Sequence, residues 1–70
     1  MSKVIAVIEN SKTLTRHSYY ASDHDWIYET MMGMTGNDHE ISAEAACWCE
    51  DAPIGSVFEF REGIITLEES

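Results

Sequence analysis

Val57-Phe58-Glu59-Phe60-Arg61-Glu62-Gly63-Ile64-Ile65-Thr66-Leu67-Glu68 is the stretch that decides the fold. Two alternating apolar runs, Val57–Arg61 and Ile64–Glu68, flank Glu62-Gly63, a dipeptide suited to a two-residue turn. Paired across that turn, Phe60 opposes Ile65 and Phe58 opposes Leu67. These four then share one face, the core face, and Glu59, Arg61, Thr66 and Glu68 fall on the other. A slip of one residue would bury the charges, so the alternation favours this pairing.

The segment just upstream supplies a cover for that apolar face. Ser42 is placed to cap a helix running from Ala43 to about Asp51, and Pro53 ends it, because the residue before a proline avoids helical geometry. At 100° per residue, Ile41, Ala45, Trp48 and Ala52 cluster into one stripe. Trp48 is therefore expected to be largely buried against the sheet. Glu44, Cys47, Glu50 and Asp51 project elsewhere.

Toward the amino end, Lys3–Glu9 is a β-branched run bounded by Asn10 and Ser11. It reads as a central strand, because both of its faces are apolar. Leu14–Ala21 alternates less well, but Thr15, Tyr19 and Tyr20 suit a strand hairpinned on the first. Residues 22–34 admit two readings. Ser22 with Asp25 resembles a capping box, and Ile27, Met31 and Met34 would then share a helical face. Trp26, Tyr28, Thr30, Met32 and Met34 also alternate as a strand would. The helix is preferred, with Gly33, Gly36 and Asn37 breaking the chain after it.

These elements compose a single α+β domain over residues 1–70, a small antiparallel sheet of three to four strands with one or two helices packed on one face. Its 70 residues leave no room for two domains, and its 44% hydrophobic content favours a folded chain over disorder. Trp26, Trp48, Phe58, Phe60, Ile5, Val7, Ile65 and Leu67 are the expected core. The longest apolar run, Val4–Ile8, is strand-sized and far short of a membrane span. The start lacks the features of a secretory leader, and two cysteines make no disulfide framework, so the expected location is cytoplasmic.

Charge is distributed unevenly. Residues 1–16 carry Lys3, Lys12 and Arg16 against Glu9, whereas residues 17–70 carry twelve carboxylates against Arg61 alone, giving the overall −9. Such a body repels nucleic acid and anionic membranes and attracts basic surfaces, most of which exist to hold phosphate. The net charge also exceeds the roughly 2 to 8 that solubility asks of a small domain. Asp38, Glu40, Glu44, Glu50 and Asp51 surround one short helix with no base among them. Glu50 and Asp51 sit against its negative dipole end, where each costs about 0.3–1 kcal/mol. Charges kept at such a cost point to binding. Asp23, Asp25 and Glu29 form a second group of candidate partner-binding residues.

No motif names a reaction. Cys47-Trp48-Cys49 has the look of a thiol or soft-metal site, but helical residues two apart point about 200° away from each other. The simpler reading is two free thiols, Cys49 filling space beside Trp48 and Cys47 near the surface. His17, His24 and His39 lack the spacing of familiar zinc sites. No serine has a recognisable base, and no glycine loop cradles phosphate. The expectation is a non-enzymatic protein with no metal site and no cofactor. Met31, Met32 and Met34 read first as core filling and second as an adaptable contact surface.

In size and charge the whole chain resembles the small acidic inhibitors encoded by phages and mobile elements, including anti-CRISPR proteins and DNA mimics. That resemblance carries no residue pattern. It implies a protein that occupies the nucleic-acid groove of a host enzyme with carboxylates spaced like phosphates. Two other classes remain beside it: an acidic assembly module that docks, on its own kind or on a larger complex, through an exposed strand edge, and a thiol or metal protein built on Cys47 and Cys49.

Overall fold

The computed structural model describes residues 3–70. Strand β1 (Val4–Asn10) and strand β2 (Arg16–Tyr20) lead into helix α1 (His24–Thr35) and helix α2 (His39–Asp51), and the chain ends in β3 (Val57–Phe60) and β4 (Gly63–Glu69). The strands form one antiparallel sheet in the order β2-β1-β4-β3, so the first and last strands are neighbours at its centre. The helices, inserted between the two hairpins, cover one face. The fold is the small α+β architecture expected, with four strands and two helices.

Alternation along the strands decides which side chains meet the helices. Ala6 and Ile8 of β1, with Ile65 and Leu67 of β4, point inward at 0–1% exposure. Phe58, Phe60 and Tyr19 pack around them from the outer strands. Ile27 and Met31 of α1, and Ala45, Ala46 and Cys49 of α2, close the core from above. Ile8, Ile27, Met31, Ile65 and Leu67 are its largest fully buried apolar side chains, each worth about 1.5–3 kcal/mol of burial. The small residues on α2 let it approach α1 closely.

The β3–β4 hairpin keeps the expected faces but not the expected register. Phe58 pairs with Ile65 and Phe60 with Gly63, so the turn is Arg61-Glu62. This pairing is displaced by two residues, and a two-residue slip preserves every side chain's face, so alternation alone cannot select against it. Gly63 belongs to the strand. There it pairs with Asn10 of β1, and a Cβ on it would lie 1.9 Å from the Glu9 carbonyl oxygen.

The α2 start also differs. Asp38, not Ser42, is the N-cap, its carboxylate accepting a hydrogen bond from the Ile41 amide at 3.1 Å. The helix therefore begins four residues before Ala43, and Ser42 lies inside it at 0% exposure. The buried stripe turns accordingly to Ser42, Ala45, Ala46 and Cys49, with Ile41, Trp48 and Ala52 along its flank. Trp48 is half-buried rather than largely buried, packed on Phe58 with ring centroids 5.4 Å apart. The carboxyl end is as expected, with Ala52 extended ahead of Pro53.

Helix α1 is the preferred reading of residues 22–34 made concrete, with Ile27 and Met31 buried and Met34 beside them. The Ser22–Asp25 capping box does not form; Asp23 occupies the N-cap position without a side-chain hydrogen bond. Gly36 and Asn37 both take left-handed conformations, at φ 69° each, and end the helix, whereas Gly33, expected to break the chain with them, lies inside it. Trp26, expected in the core, is 62% exposed. Strand β2 starts two residues later than expected, because Leu14 belongs to the loop. Its backbone is left-handed at φ 60°, and Asn10 organises that loop by accepting from the Lys12 and Thr13 amides.

Candidate partner-binding surface

The two-helix layer, residues 22–52, contains eight carboxylates and no lysine or arginine. They are the eight residues singled out by the sequence, Asp23, Asp25, Glu29, Asp38, Glu40, Glu44, Glu50 and Asp51. The fold places all of them on the same side of the sheet, because α1 and α2 double back on each other over one face. Asp25, Glu29, Asp38, Glu40, Glu44, Glu50 and Asp51 are exposed, and Asp23 is half-buried. On α2, Glu40, Glu44 and Asp51 recur at helical spacing on the side opposite the buried stripe. Glu40 and Glu44 are about 6 Å apart along the axis at 1.5 Å per residue.

Not all eight are equally free of a structural duty. Asp38 caps α2, and Asp25 and Glu40 lie in the first turns of their helices, where the dipole favours negative charge. Glu50 and Asp51 lie in the last turn of α2, which has no basic residue. Glu29 and Glu44 have neither cap nor dipole to serve. Among the described residues no lysine or arginine pairs with any of the eight. The Lys/Arg–carboxylate pair present, Arg16–Glu9 at 3.7 Å, joins β2 to β1.

Three features of this layer could not be read from sequence spacing. Tyr28 and His39 clip the helices together by a 2.6 Å hydrogen bond, and His39, which precedes the expected helix start at Ala43, is the first residue of α2. Cys47 Sγ lies 4.0 Å from His24 Nε2, and His24 Nδ1 lies 3.9 Å from Asp25. The order Cys–His–Asp is that of a nucleophile, its base and an orienting carboxylate, at separations longer than the about 2.6–3.2 Å of a fully formed proton-transfer contact. The third is an aromatic ladder. His17 and Tyr19 alternate onto the inner face of β2, their rings 6.4 Å apart and within 6° of parallel, and Trp26 continues the stack beyond Tyr19 at 6.4 Å and 9°.

The thiols stand apart as their opposed helical directions require. Both are free, Cys47 exposed and Cys49 buried. Burial, reinforced by the Glu50 carboxylate, pushes the Cys49 thiol up from 9.0 to about 11. Its raised value means that the unfolded chain loses this proton first as pH climbs, so the stability it contributes declines between pH 9 and about 11. At pH 8, a thiol-disulfide reagent is expected to modify one cysteine rapidly, Cys47, and the other only on unfolding; two fast thiols would contradict the packing of α2.

An open groove of about 580 Å³ lies between the end of α2 and the start of β1, lined among others by Lys3, Val4, Ala21, Cys49, Glu50 and Ala52. Among the described residues no three His, Cys, Asp or Glu side chains converge as metal ligands. No helix among them is long and apolar enough to cross a membrane. Comparison with family models, curated proteins and solved structures gives no match.

Proposed function

We propose that this protein is a non-enzymatic acidic binding protein that inhibits a nucleic-acid-handling protein by occupying its basic surface, in the manner of the phage-encoded inhibitors it resembles in size and charge. The observation that carries this reading is the two-helix layer with eight carboxylates and no lysine or arginine. A rigid surface of this kind competes with DNA because phosphate contacts supply most non-specific affinity in a basic groove. Charge complementarity also speeds the encounter. The retention of Glu50 and Asp51 at the unfavourable end of α2 fits a surface maintained for binding.

The test begins with capture of a basic partner from lysate at low salt, followed by its release with salt and with duplex DNA. The captured protein is then titrated with Glu44→Lys/Glu50→Lys/Asp51→Lys and with Glu59→Lys/Glu68→Lys, whose changes lie on the uncovered face of the sheet. The triple variant is expected to associate about tenfold more slowly, the double variant nearly as wild type. The triple variant should fold at least as stably as wild type, since lysines at positions 50 and 51 suit the dipole. Unchanged binding by a folded triple variant would reduce the acidic layer to a solubility coat. A chain that self-associates and captures nothing would support the assembly module instead.

A further inference from the structure

We propose that Trp26, Asp25 and Glu29 form a docking site for an arginine side chain of the basic partner. This rests on the helical layer being the partner-binding surface, and it names the group held there. Trp26 is 62% exposed, yet it is not loose. Its indole lies against Tyr19, whose hydroxyl accepts a 2.9 Å hydrogen bond from Thr30 Oγ1 of the same helix. One side of the indole is thus held by a ladder anchored on β2. Asp25 precedes it and Glu29 follows one helical turn on, and the three residues line a surface depression of about 290 Å³.

This combination selects a cation and, among cations, a guanidinium. The face of an indole attracts positive charge, and carboxylates beside it supply the counter-charge. A guanidinium is planar, weakly hydrated and able to stack and to bond a carboxylate through two N–H groups at once, whereas an ammonium is a compact, strongly hydrated point. Exposed aromatics also serve as platforms for bases of single-stranded nucleic acid, but those sites are lined by positive charge to track the backbone. Here Asp25 and Glu29 would repel it. Among the described residues no lysine or arginine of the chain is paired with Asp25 or Glu29, and the neighbour of Asp25 is the His24 ring, 3.9 Å away; the cation–π contact is Lys3 over Tyr20, at 4.8 Å, and Arg16 is turned to Glu9.

The experiment compares hexa-arginine and hexa-lysine peptides, equal in charge, followed through the indole N–H resonances of the folded protein. The arginine peptide is expected to bind about fivefold more tightly, shifting the Trp26 resonance and leaving that of Trp48 in place. Trp26→Leu, a change at an exposed position, should retain the circular dichroism of wild type and bind both peptides equally. Asp25→Asn/Glu29→Gln should lose the same preference. Equal affinities in wild type, or a preference that survives Trp26→Leu, would overturn the arginine site. The broader reading fails separately: Glu44→Gln/Glu50→Gln/Asp51→Asn would then leave the affinity of both peptides unchanged.

Discussion

Gly63→Ala is expected to unfold most of the protein, or to lower its melting temperature so far that little folded chain remains under physiological conditions. A Cβ at this position would meet three backbone atoms, the Glu9 carbonyl oxygen at 1.9 Å, the Glu9 carbonyl carbon at 3.0 Å and the Asn10 Cα at 3.2 Å. A flexible side chain could swing away from such a clash, but backbone in a paired strand cannot. Relief requires β1 and β4 to separate where Asn10 meets Gly63, at the end of the pairing that joins the two hairpins. Overpacking a core by one group costs about 1–3 kcal/mol when side chains absorb it, and here the upper end is the minimum. A chain of 70 residues has only roughly 4–10 kcal/mol of stability, at about 0.05–0.15 per residue. Gly33→Ala is the control. It lies exposed in α1 with nothing within 4 Å of the added carbon, and should gain about 0.5–1 kcal/mol from helix propensity. Urea unfolding by circular dichroism measures both. A Gly63→Ala variant as stable as wild type would mean that the β1–β4 pairing is not the one described.

The same glycine shows how far the sequence could be read. Alternation in Val57–Glu68 placed Phe58, Phe60, Ile65 and Leu67 on the core face, because a strand's side chains repeat every two residues. That periodicity is blind to a slip of two, and only the close approach of Gly63 to Glu9, a contact across more than fifty positions of chain, distinguishes the registers. The α2 start failed for a different reason. Ser42 and Asp38 are both good caps, and the turn between them, His39-Glu40-Ile41, has too little apolar character to announce a helix. Trp26 departs from the core because the size of a side chain does not fix its burial. It lies one residue from Ile27, about 100° around the helix, and so off the buried stripe. The eight acids were legible from composition, whereas their gathering on one layer required the helical hairpin. The His17–Tyr19–Trp26 ladder and the Cys47–His24 contact join separate elements, which no local spacing encodes.

Ser42→Ala is expected to stabilise the protein by about 1–3 kcal/mol, the opposite of what removing a helix cap would do. The sequence alone assigns Ser42 to the cap, and loss of a capping serine costs about 0.5–2 kcal/mol. The structure puts its side chain at 0% exposure, on the buried stripe of α2 with Ala45, Ala46 and Cys49. Its Oγ has no hydrogen-bond partner among the described residues. A hydroxyl taken out of water without a partner costs about 1–3 kcal/mol, and alanine removes that cost while keeping the Cβ. Alanine also has the higher helix propensity, adding a few tenths of a kcal/mol. For a domain of this size each kcal/mol raises the melting temperature by about 4–8 °C, so calorimetry resolves the sign without difficulty. A lower melting temperature would show that the hydroxyl is bonded and that α2 is rotated from the position described. The change also separates stability from binding. Ser42 lies on the buried stripe of α2 whereas Glu40, Glu44 and Asp51 lie on the opposite side of that helix, so a more stable Ser42→Ala protein should bind its basic partner with unchanged affinity. That makes it the background of choice for reversing the charges on α2, where a loss of binding could then not be ascribed to a loss of fold.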